Sequence, residues 1–371
     1  MRKPSVILLT WWSAGLLPVL RSLGEKVDHV TVVSGERDTI AMRSRHVDDS
    51  IVLPADAGDL AVLEQLEQVA AEYGGALLIP VDERATALVI RHRERLVRSL
   101  RLTPLPDPKV FALATNKAQL AAFMDLRGIP HPRTLSGTGR NLSNLDWVGW
   151  KFPVLLKPDR GSGGQGIHLC VDATELSDAL DRAASFEGQF LVQELIPGSD
   201  VDCSFLAVEG KIVACTTQRA IAKPRGFGPA TEIVMEEHPG LVRLTEQLCS
   251  ALRWSGVGHL DTIQDERDGS YRVLELNGRF WTTLLASTAA AVNFPELLLT
   301  LDAGREFGRP SFRPQRFFAG GLGLKRFLGL GGTRYRFHET DLPYVIADSR
   351  PLMAALAQKY LPRCLSAKSR Q

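Results

Sequence analysis

The first hundred residues alternate short apolar runs with stretches of helical spacing, and this alternation limits the possible folds most. The runs lie at residues 5–10, 30–33, 51–53 and 76–81, and apolar side chains recur at helical spacing in residues 16–23 and 60–73. Short buried strands separated by amphipathic helices are typical of a parallel sheet with helices on both faces. The sequence therefore predicts an α/β module at the N-terminus.

This first module does not carry the glycine pattern of a dinucleotide site. Residues 10–15, after the first strand, contain a single glycine, Gly15, where G-x-G-x-x-G would be needed. Residues 103–108 then contain three prolines, which cannot continue a helix or a central strand. We place a domain boundary there. The predicted domains are residues 1–105, which are Rossmann-like, residues 106–302, which combine helices with antiparallel sheets, and an extension of unassigned role at 303–371.

Composition excludes several classes of protein. A chain of 371 residues is long enough for two or three packed modules, and its formal net charge of +2 gives no reason to expect a nucleic-acid or membrane partner. The five cysteines are odd in number and show no C-x-x-C spacing, which argues against a disulfide framework or a zinc site and favours a reducing cytoplasm. The apolar N-terminus is interrupted by Gly15, Pro18 and Arg21, so we expect a strand and a helix there, not a signal peptide or a membrane span.

The first segment with chemical potential is a lysine followed by a glycine-rich run. Lys157 ends a short apolar strand, and the run that follows is Gly161-Ser162-Gly163-Gly164-Gln165-Gly166. Glycines allow the backbone to turn tightly and point N–H groups at phosphates, and a lysine supplies positive charge. A plain hairpin turn explains the same residues equally well when they are considered alone.

The second segment is a strand end that turns at a Pro-Gly pair. The backbone of Gln193, Glu194, Leu195 and Ile196 could present N–H and C=O groups to an adenine edge. The carboxylate of Asp200, a few residues later, could accept hydrogen bonds from the ribose hydroxyls. Asp202 is the next candidate for this role. The alternative is a strand–turn–strand corner with surface acids.

The third segment places oxygen ligands on one face of a strand. Glu275 and Asn277 alternate, so both side chains point the same way, and Asp261 lies on the preceding candidate strand. Two carboxylates and an amide oxygen suit one or two Mg²⁺ ions. Two inward acids are hard to explain as structure alone, because burying unpaired carboxylates is costly. Arg279 follows at once and could hold a phosphoryl group or an acyl-phosphate.

In this order, the three segments resemble the ATP-grasp superfamily, and specifically its carboxylate–amine (or thiol) ligase-like subgroup. The run Asn277-Gly278-Arg279-Phe280-Trp281 is similar to the Asn-Pro-Arg-Phe-Trp run of that subgroup. The resemblance implies that Lys117 and Lys157 contact ATP phosphates and that residues matching Asp261, Glu275 and Asn277 bind Mg²⁺. Two positions depart from the family pattern: Asn116 stands where aspartate is more usual, and Gly278 replaces a proline, a change we expect to loosen a turn.

The resemblance also implies an ATP-grasp fold with nucleotide between two α+β lobes, at about residues 150–195 and 196–302. The activity implied is Mg-ATP-dependent coupling of a small-molecule carboxylate to an amine through an acyl-phosphate, with Mn²⁺ as an alternative ion and a homodimer as a candidate assembly. Arg219 and Lys223, in an expected loop at 216–233, are candidates for binding the anionic substrate, and His238 and His259 are interpreted as structural. Two other functions stay open: a carboxylase or kinase using bicarbonate or a hydroxyl acceptor, and a non-catalytic ATP-binding protein.

Overall fold

The computed structural model describes residues 3–36, 39–54, 56–161, 163–222, 228–319, 323–330 and 332–368. The strands of this described part are β1 Ser5–Thr10, β2 His29–Ser34, β3 Asp49–Val52, β4 Leu77–Pro80, β5 Arg101–Leu102, β6 Thr134–Thr138, β7 Val154–Pro158, β8 His168–Cys170, β9 Gln189–Glu194, β10 Gly198–Val208, β11 Lys211–Ala222, β12 Glu232–Met235, β13 Gly256–Asp265, β14 Tyr271–Asn277 and β15 Gln315–Phe318. The helices are α1 Ser13–Leu23, α2 Asp59–Glu72, α3 Glu83–Arg91, α4 Arg93–Leu96, α5 Pro108–Ala114, α6 Lys117–Arg127, α7 Gly139–Ser143, α8 Ala173–Ala183, α9 Pro239–Leu252, α10 Leu284–Ala289, α11 Phe294–Asp302, α12 Gly323–Phe327, α13 Leu342–Ala347 and α14 Arg350–Lys368.

The chain forms two compact units. Unit 1 consists of Met1–Leu105, Arg279–Arg313 and Phe317–Gln371, and unit 2 consists of Pro106–Gly278 and Pro314–Arg316. No helix in the described ranges combines the length and the apolar character needed to cross a bilayer.

Unit 1 is built on a parallel sheet with the strand order β3-β2-β1-β4-β5. All four strand pairs in it are parallel, as the alternation of strands and helices predicted. The helix α2 buries Val62, Leu63, Leu66, Val69 and Ala70, which recur at helical spacing and pack into the same core as Ile7, Leu9 and Leu78 of the sheet. Burial of each leucine in that face contributes roughly 2 kcal/mol, so this stripe holds the helix on the sheet.

Unit 2 contains two antiparallel sheets. The first has four strands in the order β6-β9-β7-β8 and is covered by α8, which buries Leu176, Ala179, Leu180 and Ala183 at helical spacing. Within unit 2 the second sheet runs β14-β13-β10-β11-β12, and each neighbouring pair in it is antiparallel. The helix α9 packs against β10 and β11 of this larger sheet. The predicted combination of α/β and α+β architecture is thereby confirmed.

Two helices follow the proline-rich linker: α5 ends at Ala114 and α6 begins at Lys117. Asn116 separates them, since its side chain accepts a hydrogen bond from the N–H of Gln119 and so caps α6. The segment 216–233 is not simply a loop: β11 continues through Ala222 and pairs with β12, and residues 223–227 lie outside the described residues.

Candidate active site

Three oxygen-bearing side chains converge where β13 and β14 run side by side. Asp261 lies directly opposite Glu275 in the antiparallel ladder. Asn277 Nδ2 lies 3.2 Å from Asp261 Oδ2 and 3.3 Å from Glu275 Oε1. The strand pairing therefore brings together the three residues that the sequence proposed as metal ligands.

The electrostatics of this cluster favour a bound cation. Burial and the neighbouring Asp261 carboxylate raise the pKa of Glu275, while Lys117 opposes the increase. The Nζ atom of Lys117 is 3.1 Å from Glu275 Oε2, so one positive charge already reaches the acids. Two close carboxylates and an amide are hard oxygen donors, and they fit Mg²⁺ once the Asn277 amide presents its oxygen.

Lys157 lies at the end of β7 and is buried, with 7% of its surface exposed. Its Nζ donates to Gln193 Oε1 at 2.7 Å, and Gln193 Nε2 donates to Thr134 Oγ1 at 2.8 Å. Burial lowers the pKa of Lys157 to about 8, although the charges of Glu275 and Asp261 act in the opposite direction. A lysine held this way is a positive charge kept at low dielectric, which suits an anionic ligand.

The glycine-rich run connects β7 to its antiparallel neighbour β8, so it is a hairpin connection in form. Gly161, Gly163, Gly164 and Gly166 all have positive φ, between 66° and 137°, which other residues rarely adopt. The carbonyl of Gly161 accepts a 2.9 Å hydrogen bond from Lys117 Nζ. Gln165 is exposed beside these glycines, and Ser162 lies outside the described residues.

The predicted nucleotide corner joins β9 to β10. Gln193 and Glu194 end β9, whereas Leu195 and Ile196 belong to the connection that follows. The backbone N–H of Glu194 donates to Arg133 O at 2.9 Å, so this group is already used within the protein. Asp200 is half-buried on β10, opposite Ile263 of β13.

Arg219 lies on β11 and forms a bidentate ion pair. Its Nε and Nη2 atoms are 2.6 Å and 3.2 Å from the two carboxylate oxygens of Glu236. The pair raises the pKa of Arg219 and lowers that of Glu236. Arg219 is thus held by a strand and an acid, which differs from the loop position expected for it. Lys223 lies outside the described residues.

Sequence reasoning undervalued His259, which lies on the same strand as Asp261. Its Nε2 is 3.1 Å from Asp261 Oδ1, and its Nδ1 is 2.8 Å from Ser204 Oγ. Donor atoms of Asp202, His259 and Asp261 all lie within 4.8 Å of one another. Burial and the nearby Asp261 charge raise the pKa of Asp202. The period-two spacing of His259 and Asp261 was the signal in the sequence.

Arg279 belongs to unit 1, although it follows β14 directly. Its guanidinium carbon lies 4.6 Å from the ring centroid of Trp12, and its Nε is 4.0 Å from Glu83 Oε1. Gly278, just before it, ends unit 2, and a Cβ on Gly278 would lie 2.6 Å from Phe111 and 3.0 Å from Trp254. Aromatic rings therefore occupy the space that a side chain at Gly278 would need, whereas the loosening of the turn stays a prediction.

The middle of the chain matches a known domain family. Residues 114–283 match the model of the ATP-grasp domain. The chain contains an ATP-grasp domain. Every predicted site residue, from Lys117 to Arg279, lies inside the segment that matches.

Several known proteins resemble this chain. A D-alanine–D-alanine ligase of Pseudomonas fluorescens is 29% identical over 216 residues, which cover 52% of this chain and 63% of that protein. An L-amino acid ligase of Bacillus licheniformis superposes with a TM-score of 0.62 at 17% identity, over 81% of this chain and 74% of that one. The N5-carboxyaminoimidazole synthetase of Staphylococcus aureus, crystallised with ADP, gives a TM-score of 0.65 at 12% identity, over 86% and 83% of the two chains.

The solved structures show that this chain shares their fold. The two solved structures are below 20% identity, so they show the architecture alone. The chain spans slightly less than two thirds of the D-alanine–D-alanine ligase it matches. The reaction of this chain is therefore inferred from the residues of its own site.

Proposed function

We propose that the protein is an ATP-dependent ligase that activates a substrate carboxylate and couples it to an amine, releasing ADP and phosphate. One observation carries this proposal: two lysines and three oxygen ligands converge within unit 2. The Nζ atom of Lys117 lies 3.1 Å from Glu275 Oε2 and donates a 2.9 Å hydrogen bond to the carbonyl oxygen of Gly161, so Lys117 connects the acids to the glycine-rich run. The relatives named as ligases of D-alanine and of L-amino acids support the same reaction class.

The nucleotide phosphates would be held by Lys117, Lys157 and the backbone of the glycine-rich run. Positive φ at Gly161, Gly163, Gly164 and Gly166 gives that backbone the freedom to turn N–H groups toward an anion. The connection at Leu195–Ile196 would face the adenine, with Asp200 toward the ribose. ATP is therefore the proposed nucleotide.

Asp261, Glu275 and Asn277 would hold Mg²⁺, with Mn²⁺ able to replace it, and the ion would neutralise charge on the transferring phosphoryl group. The substrate carboxylate oxygen attacks the γ-phosphorus, and the bond to the ADP oxygen breaks. An amine then attacks the acyl carbon, phosphate leaves, and the amine loses one proton to solvent. By the family resemblance, we propose that Arg279 stabilises the charge that develops. Positioning and electrostatics supply this catalysis, so no protein nucleophile is needed.

The test is ADP release with Mg·ATP across pooled amino acids and small carboxylates. Glu275→Gln removes a charge from the metal cluster, and we expect it to lower substrate-dependent ADP release by at least about a hundredfold. Asp268→Asn is the matched control, because Asp268 is an exposed acid in the turn between β13 and β14, bonded to Ser270 and Arg272. It should leave the rate unchanged.

Four results would contradict the proposal. The first is equal ADP release in wild type and Glu275→Gln. The second is ADP release that depends on bicarbonate, which indicates a carboxylase. The third is a phosphorylated product formed without an amine, which indicates a kinase. The fourth is nucleotide binding without turnover in any pool, which indicates a non-catalytic protein.

We expect the enzyme to act in the cytoplasm on small molecules.

A further inference from the structure

One imidazole and two carboxylates lie together on the larger sheet of unit 2. Asp202 and Ser204 share one face of β10, because residues two apart on a strand point the same way. His259 and Asp261 share one face of β13 for the same reason. The two strands are antiparallel neighbours, and Ser204 lies directly opposite His259. The pairing therefore collects donor atoms of Asp202, His259 and Asp261 within 4.8 Å of one another.

The distances in this group suit a single metal ion. His259 Nε2 is 3.1 Å from Asp261 Oδ1 and 3.9 Å from Asp202 Oδ2. Two ligand atoms that each lie about 2.1 Å from an ion are roughly 3.0 Å apart at a right angle and roughly 3.4 Å apart at the tetrahedral angle. The first pair already has this spacing, and the second reaches it through an approach of about 0.5 Å.

Ser204 fixes the orientation of the imidazole. Its Oγ atom lies 2.8 Å from His259 Nδ1, and Ser204 itself is 1% exposed. When an ion occupies Nε2, the ring proton resides on Nδ1 and is donated to this hydroxyl. Histidines that bind metals usually have their second ring nitrogen held by such a partner, and the contact with Ser204 supplies it here.

The carboxylate of Asp202 is weakly compensated within the protein. Its side chain is 15% exposed, and it accepts hydrogen bonds from Gln218 Nε2 and from the Thr262 N–H that are each 3.4 Å long. Ordinary N–H···O bonds are about 2.7–3.2 Å long, and an enclosed carboxylate with weak partners is costly. A divalent cation between Asp202 and its neighbours would offset this cost.

We propose that Asp202, His259 and Asp261 bind a transition-metal dication of the Zn²⁺ class. The imidazole distinguishes this site from the oxygen ligands of Glu275 and Asn277, because nitrogen ligands favour Zn²⁺ whereas Mg²⁺ prefers oxygen. The two sites use different oxygens of Asp261, since Oδ1 lies 3.1 Å from His259 Nε2 and Oδ2 lies 3.2 Å from Asn277 Nδ2. This ion is distinct from the Mg²⁺ of the proposed reaction, and its binding requires no nucleotide.

The experiment titrates Zn²⁺ into the full-length protein in competition with a colorimetric chelator, after removal of bound metals and without nucleotide. We expect one Zn²⁺ to bind at this site. His259→Gln should weaken it at least about a hundredfold, and Asp202→Asn and Ser204→Ala about tenfold each, because even an outer partner of a metal ligand contributes roughly 10–100-fold to affinity. Co²⁺ bound in place of Zn²⁺ should show visible absorption that differs from that of aqueous Co²⁺ in the wild type and not in His259→Gln.

His238→Gln is the matched control. His238 also lies in unit 2 beside an acid, with its Nε2 3.0 Å from Glu236 Oε1, but it belongs to no cluster of three metal ligands in the described part of the chain. This variant should bind Zn²⁺ with unchanged affinity. Glu275→Gln should also leave the affinity nearly unchanged, because Glu275 is a ligand of the oxygen cluster alone.

Three results overturn the proposal. The first is a wild type that binds no Zn²⁺, in which case the group is a hydrogen-bonded network only. The second is equal Zn²⁺ affinity in the wild type and His259→Gln, which places the ion elsewhere. The third is a loss in Glu275→Gln as large as that in His259→Gln, which places the ion in the oxygen cluster. Melting temperatures identify an unfolded variant, and if His259→Gln does not fold, unchanged affinity in the isosteric Asp202→Asn overturns the proposal instead.

Discussion

The buried lysine of the candidate nucleotide site should make ADP affinity depend on pH. Lys157 is 7% exposed, and burial lowers its pKa to about 8, from an ordinary value of 10.5. Only its protonated form attracts phosphate. Bound phosphate would raise the pKa again, so binding takes up a proton whenever the free protein has lost it.

The magnitude follows from that value. With a pKa of about 8, Lys157 is roughly nine-tenths protonated at pH 7 and one-tenth at pH 9, so Mg·ADP affinity should fall about tenfold over this interval. That fall corresponds to about 1.4 kcal/mol. ADP phosphate groups are already ionised above pH 7, because the second ionisation of a phosphate lies near pH 6, so the ligand adds little to the change.

The assay is titration calorimetry of Mg·ADP between pH 6.5 and 9.5, in two buffers of different ionisation enthalpy. Lys157→Arg should bind with an affinity that is nearly flat over this range, because arginine stays charged. Lys157→Met should bind weakly at every pH. An affinity of the wild type that is the same at pH 7 and pH 9, or a fall of equal size in Lys157→Arg, would refute the reasoning.

Three further perturbations test the surroundings of the site. Gly278→Ala should destabilise the protein by about 1–3 kcal/mol in denaturant unfolding, because its methyl group meets Phe111. Glu275→Ala should abolish turnover, and calorimetry should show that it removes the Mg²⁺ dependence of ADP binding; full activity would exclude the metal role. Asn116→Asp should cost about 1–3 kcal/mol at pH 7, because it places a second carboxylate beside Asp159. Such close acids raise the pKa of one of them, so this cost should be smaller at pH 5.

Much of the fold could be predicted from periodicity. The alternation of apolar runs and helical spacing predicted the parallel sheet of unit 1. Val6 and Val30, for example, come from two of these runs and lie opposite each other on the parallel strands β1 and β2. The alternation in 271–277 placed Glu275 and Asn277 on one face of β14. The spacing of apolar residues is a local property of the sequence, so it can be recognised before the tertiary contacts are known.

The remaining features depend on contacts between distant segments. Nothing near Arg219 in the sequence shows that Glu236 will meet it across the β11–β12 pair, so its position on a strand was missed. His259 contacts Ser204 on β10 and Asp261 on its own strand. The contact with Ser204 depends on which strand lies beside β13, and the sequence does not show this. When the neighbours of a side chain lie on another strand, the residues next to it in the sequence do not show its environment.

The two departures from the family pattern have local physical explanations. Asn116 caps α6 with its oxygen and donates its amide N–H to Asp159, whose other oxygen accepts from the Ala118 N–H at 3.0 Å. Aspartate could cap the helix equally well, but it could not donate to Asp159. Gly278 leaves room for an aromatic ring where any side chain would collide. In both places the residue suits the side chain next to it, and neither departure changes a proposed ligand.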